Sequence, residues 1–174
     1  VRAGAGEQAT GWVVDARRRW LVTAAHAAAE AEGAEAIFPA AGAVRADVLR
    51  TLPALREAGL AVRGKVIRRD AGLDLALLEL ESLPAGVGEL PLSPVSAGDG
   101  KAARLLQTGI PINQGDSGGP LLNGRGEVVG VAAAVAPEAG GGGLFVSLED
   151  LAAFLKKPPP RPAAEGVIEK ALRS

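Results

Sequence analysis

Ser117 lies in the run Gly115-Asp116-Ser117-Gly118-Gly119-Pro120. Glycines around a serine leave backbone N–H groups open to a bound molecule. That arrangement suits acyl transfer, in which preorganised amides stabilise a developing oxyanion. The N–H groups of Gly115 and Ser117 are the predicted donors. A plain turn between strands would use the same glycines, so the run means chemistry only if the serine has a base, because a hydroxyl is a weak nucleophile until a neighbour takes its proton. His26 is the sole histidine of the chain, and it follows Leu21-Val22-Thr23-Ala24-Ala25 directly. An apolar strand running into small residues can present an imidazole at a cleft. The second ring nitrogen then needs a carboxylate that fixes the tautomer and stabilises the imidazolium. Asp47, Asp70 and Asp74 are the candidates. Asp74 heads Leu75-Ala76-Leu77-Leu78-Glu79-Leu80, apolar enough to hold a carboxylate against a core. Asp70 follows Arg68-Arg69 and reads as a turn carboxylate, where an exposed ion pair contributes about 0–1 kcal/mol. Asp74 is therefore the predicted third member.

These three residues need a scaffold of short strands. Residues 11–23 read as a hairpin around a polar turn at Asp15 to Arg19, with Arg17 to Arg19 at its tip. Ala34 to Phe38, Val44 to Leu49, Val62 to Ile67 and Leu75 to Leu80 read as further strands, and Leu52 to Leu60 as a helical excursion with Pro53 in its first turn. The second half offers Ala103 to Thr108, Pro120 to Asn123, Glu127 to Val135 and Leu144 to Leu148. Short apolar runs bounded by Gly, Pro or Asp predict an all-β barrel architecture rather than alternating β and α units. Leu148, Leu151, Ala152 and Leu155 then recur at helical spacing up to the lysines at 156 and 157, which predicts a C-terminal amphipathic helix. Pro158 to Pro160 stop it. The stretch to Pro162 reads as a stiff linker and Ala163 to Ser174 as a short helical tail, an attachment point for an additional domain or partner.

Composition narrows the partners. The 174 residues make one domain of ordinary size, or two small barrels sharing a core. Lys plus Arg number 19 against 20 acidic residues, a balance with no basic field for nucleic acid. Cysteine is absent, which excludes disulfides, thiolate metal sites and a cysteine nucleophile. Glu7, Glu30, Glu32 and Glu35 have no metal-ligand spacing and read as solvated charges. No apolar run is long enough for a membrane-spanning helix. Covalent acyl chemistry on Ser117 calls for no metal and no cofactor.

Thr23-Ala-Ala-His26, Asp74-Leu-Ala-Leu-Leu and Gly115-Asp-Ser-Gly-Gly-Pro120, in that order, resemble the motifs of the trypsin-like serine peptidases. Thr10-Gly-Trp-Val-Val14 and Gly143-Leu-Phe-Val-Ser147, the latter followed by a helix, are more similar to the bacterial HtrA-like branch. The resemblance runs over roughly residues 9–157. It implies two antiparallel six-stranded β-barrels, about 1–82 and 83–157, followed by the 158–174 linker and tail, with the triad His26, Asp74 and Ser117 in the crevice between the barrels. It implies a serine endopeptidase acting on protein or peptide substrates, with Gly115 and Ser117 as oxyanion donors. Pro111 falls where the family has the floor of its primary pocket, and Ala132, Ala133, Ala134 and Gly143 fall on the walls. None of these is charged, so an apolar residue before the scissile bond is expected, with the loop Pro137 to Gly142 able to alter the pocket's depth. A chain without cysteine fits a bacterial member better than a eukaryotic secreted one, and the resemblance allows an extracytoplasmic or a cytoplasmic setting.

Two departures accompany the resemblance. The interval from Asp74 to Ser117 is short, and the join from Gly98 to Arg104 passes from the opening turn of the second barrel almost directly to the strand before the nucleophile loop. Either residues are missing between Gly98 and Arg104 or the second barrel is incomplete, and the alternative reading is a latent or inactive peptide-binding module of a larger protein. Asp116 stands where many HtrA-like members have asparagine, and it is expected to be held by local hydrogen bonds or an arginine.

Overall fold

The computed structural model describes residues 1–3, 7–28, 33–38, 52–94, 105–135 and 142–156. Val44 to Leu49, Asp47, the join from Gly98 to Arg104, the loop 137–141 and everything from Lys157 onward lie outside the described residues.

The chain forms two antiparallel sheets. The first contains β1 (Arg2–Ala3), β2 (Glu7–Gln8), β3 (Gly11–Asp15), β4 (Trp20–Ala24), β5 (Gly33–Ile37), β6 (Ala61–Asp70) and β7 (Leu75–Leu80), in the spatial order β2-β1-β5-β6-β7-β4-β3. The second contains β8 (Leu105–Pro111), β9 (Pro120–Leu122), β10 (Val128–Val135) and β11 (Gly142–Ser147), in the order β8-β11-β10-β9. Two helices accompany them, α1 (Leu52–Glu57) and α2 (Leu148–Lys156). The all-β fold and the terminal helix are as the sequence predicts, and the strands divide seven and four among the described residues. The two-residue strands β1 and β2 enlarge the first sheet. The second holds, among the described residues, the four strands legible in the sequence.

Alternation explains how the sheets pack. In β7, Leu75 and Leu77 face a cluster with Trp12, Val22, Val128, Val131, Val146, Leu148, Leu151 and Phe154, drawn from both sheets and α2. Ala76, Leu78 and Leu80 face the opposite way into the curled first sheet, against Leu21, Ala28, Ala34, Ala36 and Val62. A strand buried on both faces reads as a continuous apolar run, which is why Leu75-Ala76-Leu77-Leu78 carries no polar position. With few aromatics available, alanines fill the interior of the first sheet and allow its strands to curl tightly.

The connection between the sheets is also tied down. Leu90 N–H donates to Val13 C=O, while Val128 N–H donates to Pro91 C=O and Ser93 N–H to Val128 C=O. A few extended residues thus bond to β3 on one side and β10 on the other, fixing the crevice between the sheets.

Candidate active site

His26 opens a short 3-10 turn, His26–Ala28, directly beyond β4. Asp74 closes the turn that joins β6 to β7. In that turn the Asp70 carboxylate accepts the N–H groups of Gly72 and Leu73, each at 3.1 Å, so Asp70 has the turn role the sequence indicates. Asp74 is one of two described non-glycine residues with positive φ, at 52°, a conformation aspartate tolerates because its short polar side chain bonds locally. Its backbone and side chain all bond to the histidine turn. Its C=O accepts Ala25 N–H at 2.9 Å, its Oδ1 accepts His26 N–H at 2.9 Å, and its Oδ2 lies 2.7 Å from His26 Nδ1. β4 and β7 are paired neighbours, with Ala24 opposite Leu75, so the sheet itself brings this pair together.

Ser117 lies in the turn between β8 and β9. Asn113 N–H donates to Asp116 Oδ2 at 2.8 Å, and Asp116 N–H returns to Asn113 C=O at 3.1 Å. Asp116 is therefore held by local hydrogen bonds, the first of the two expected arrangements. Gly119 N–H donates to Asp116 C=O, and Gly118 and Gly119 exchange hydrogen bonds with Ala132 of β10, all at 2.8–2.9 Å.

Gly118 is required twice over. Its φ is 82°, and a Cβ there would lie 2.6 Å from Thr10 O and 2.8 Å from Thr23 C. The residue after Ser117 is thus pressed against the strand that leads to His26, so serine and imidazole occupy the same end of the crevice. Gly115 has a φ of 97°, with open space where a side chain would be. Among the described residues, the N–H groups of Gly115 and Ser117 have no acceptor, and no hydrogen bond joins Ser117 Oγ to His26. Such bonds often form only when substrate is bound. The His26 and Asp74 side chains are 45% and 31% exposed, so the site opens to solvent.

The predicted pocket residues gather at one end of the second sheet. Pro111 is paired with Gly142, and Gly143 with Thr108 and Val135. Ala132 is buried opposite Phe145, Ala133 sits at a bulge, and Ala134 is exposed opposite Leu144. Sequence reasoning overlooked Ile112. A Cβ on Gly143 would come within 2.7 Å of Ile112 Cδ1 and of Phe145 Cε2, so these two side chains converge over Gly143 while Pro111 is exposed. The available signal was an isoleucine standing alone between Pro111 and the polar Asn113-Gln114.

Residues 9–103 match the family model of the trypsin-like peptidase domain, and residues 92–155 match that of trypsin. Two curated relatives from Synechocystis sp. are similar over short stretches. The putative serine protease HhoB is 47% identical over 49 residues, 28% of this chain and 12% of that protein. The putative serine protease HhoA is 43% identical over 54 residues, 31% of this chain and 14% of that protein. The chain thus spans a small part of those relatives. Among solved structures, Rv3671c from M. tuberculosis H37Rv, a serine-to-alanine mutant in its inactive form, superposes with a TM-score of 0.56 at 19% identity over 84% of this chain and 79% of the other, a likeness of fold.

Proposed function

The chain belongs to the trypsin-like peptidase family, and on that premise we propose that it is a bacterial serine endopeptidase, cleaving peptide bonds through an acyl-enzyme on Ser117. The observation that carries this reading is the His26–Asp74 arrangement, in which one carboxylate takes both the backbone N–H and the ring nitrogen of the same histidine.

In this reading His26 Nε2 removes the Ser117 proton as Oγ attacks the scissile carbonyl, and later passes that proton to the leaving amine. Asp74 keeps Nδ1 protonated and stabilises the imidazolium. The N–H groups of Gly115 and Ser117 receive the oxyanion, a contribution of about 3 kcal/mol per donor in comparable sites. Water then attacks the acyl-enzyme with His26 again as base, so no metal or cofactor enters the cycle.

Substrate recognition follows from the edge of β10. Past Ala132, the described residues of β10 pair only with β11, which leaves Ala133 to Val135 free to take an extended peptide as an added strand. The pocket beside them, bounded by Pro111, Ala132, Ala133, Ala134 and Gly143 and narrowed by Ile112, suits a small apolar side chain before the scissile bond. Residues 1–157 act as one peptidase unit, with the segment from 158 as a linker to a further domain or partner.

A fluorophosphonate probe, which phosphonylates only an activated serine, tests the proposal. Peptide mass spectrometry of the wild-type chain is expected to place the adduct on Ser117, and the adduct is expected to vanish in both Ser117→Ala and His26→Ala. A folded wild type that takes no adduct would overturn the endopeptidase reading in favour of a latent peptide-binding module.

A further inference from the structure

Thr10 makes more bonds to the nucleophile turn than its place before β3 requires. Its N–H donates to Ser117 C=O at 3.0 Å, and its hydroxyl donates to Gly115 C=O at 2.8 Å. Its own C=O accepts the hydroxyl of Thr23 at 2.8 Å, and Thr23 is fully buried in β4. Thr10 thus joins the strand that leads to His26 with the two residues whose amides would receive the oxyanion.

The backbone of that turn alternates between pinned and open peptide planes. The Gly115–Asp116 plane is held at both ends, its carbonyl by the Thr10 hydroxyl and its N–H by Asn113 C=O at 3.1 Å. The Ser117–Gly118 plane is likewise held by Thr10 N–H and by Ala132 C=O. Between and before them lie the planes that carry the unpartnered N–H groups of Ser117 and Gly115. The Ser117 plane is flanked by pinned planes and its carbonyl is taken by Gly119 N–H. The Gly115 amide, by contrast, is steadied only from its C-terminal side, across a glycine at φ 97° with open space around it. Without the Thr10 hydroxyl, the Gly115–Asp116 carbonyl loses its anchor, and that glycine can rotate its N–H away from the crevice at little steric cost.

We infer that Thr10 is a positioning residue for the oxyanion site, its hydroxyl fixing the Gly115 amide toward the crevice through the Gly115 carbonyl. This rests on the proposal that Ser117 is the acyl-transfer nucleophile. Thr10 bonds to Ser117 through the carbonyl rather than through Oγ, and it acts through the orientation of one donor.

The test compares wild type with Thr10→Val, Thr10→Ala and Thr10→Ser on a peptide ester with alanine before the scissile bond. It also measures inhibition by the matching peptide aldehyde, which forms a tetrahedral adduct bearing an oxyanion. Loss of one well-placed oxyanion donor lowers kcat by about 10²–10³-fold, so a misdirected one is expected to lower it by at least about tenfold. KM is expected to stay within about twofold and aldehyde affinity to fall in parallel with kcat, because the donor acts on the charge that develops in the transition state. Thr10→Ala puts no γ-methyl group against the Gly115 oxygen, so it separates loss of the hydroxyl from crowding by valine. Thr10→Ser is expected to restore kcat. An active wild type whose Thr10→Ala variant keeps full kcat overturns this inference alone. So does a kcat loss that Thr10→Ser fails to restore, or one that a lowered melting temperature shows to be unfolding of the variant. A wild type with neither turnover nor a Ser117 adduct overturns the endopeptidase reading, and this inference with it.

Discussion

Asp74 takes its left-handed conformation so that one carboxylate reaches both the N–H and the ring of His26. Asparagine tolerates the same conformation, so Asp74→Asn tests chemistry rather than folding. Its amide can hold Nδ1 only as an acceptor, which leaves the proton on Nε2 and removes the base. We expect kcat to fall about 10⁴-fold with stability changed by no more than about 1 kcal/mol, because both side chains are substantially exposed. A kcat loss below tenfold in a folded variant would remove Asp74 from the mechanism. The pocket invites a second substitution. Ile112→Ala clears the space over Gly143 and is expected to move kcat/KM toward leucine or phenylalanine before the scissile bond by about tenfold or more, since a few methylenes in an apolar pocket are worth about 1–3 kcal/mol each. Pro111→Ala, at the exposed rim of the pocket, is expected to shift the ranking less than Ile112→Ala, and a substrate panel on which Ile112→Ala has no effect would place the pocket elsewhere. As candidates, His26, Asp74 and Ser117 were legible because histidine occurs once, the carboxylate heads an apolar strand and the serine sits among glycines. Ile112 and Thr10 were not, because their importance depends on contacts with Gly143, Gly115 and Ser117 that cross between strands and between sheets.

Strand β6 shows where elements depart from what their sequence suggests. It runs from Ala61 to Asp70, beyond the Val62 to Ile67 that hydrophobicity marks, and its register shifts between Val66 and Arg68. A bulge of this kind re-aims the residues after it, and Arg68 becomes buried. Its Nη1 donates to Phe154 C=O, its guanidinium lies 5.5 Å from the Phe154 ring centroid, and its Nε and Nη2 are buried without partners among the described residues. Burial holds its pKa below the usual arginine value. A charge in that setting loses about as much hydration as its contacts return, so we expect Arg68→Met to change the unfolding free energy by no more than about 1 kcal/mol. Phe154→Ala, which empties the shared core beneath the same guanidinium, is expected to cost about 3–5 kcal/mol. Urea denaturation of the two variants checks the contrast, and a large loss on Arg68→Met would make the arginine the principal tie between β6 and α2. No sequence pattern announces an arginine turned inward by a bulge, just as none announced that β8 continues through Pro111, whereas the helical spacing from Leu148 did announce α2.

The crevice exists only while the two sheets hold each other, and one apolar cluster joins them. Trp12, Val22, Leu75 and Leu77 come from the first sheet, Val128, Val131 and Val146 from the second, and Leu148, Leu151 and Phe154 from α2. The His26–Asp74 pair belongs to the first sheet, whereas Ser117 and the open edge of β10 belong to the second, so every step of the proposed reaction spans this contact. A core shared in this way predicts that the sheets unfold together. Both tryptophans, Trp12 and Trp20, lie in the first sheet, so their fluorescence reports that sheet, while far-UV circular dichroism reports both. Leu151→Ala removes a fully buried side chain that α2 contributes to the cluster containing Trp12. Its expected cost is about 2–5 kcal/mol, and the lower midpoint in urea should appear identically in fluorescence and in circular dichroism, as two-state unfolding requires. If the tryptophan transition stayed at the wild-type midpoint while circular dichroism resolved an earlier step, the sheets would be separate folding units. The alignment of Ser117 with His26 would then have its own stability, lower than that of the first sheet, and activity would disappear in urea before the tryptophans reported any change.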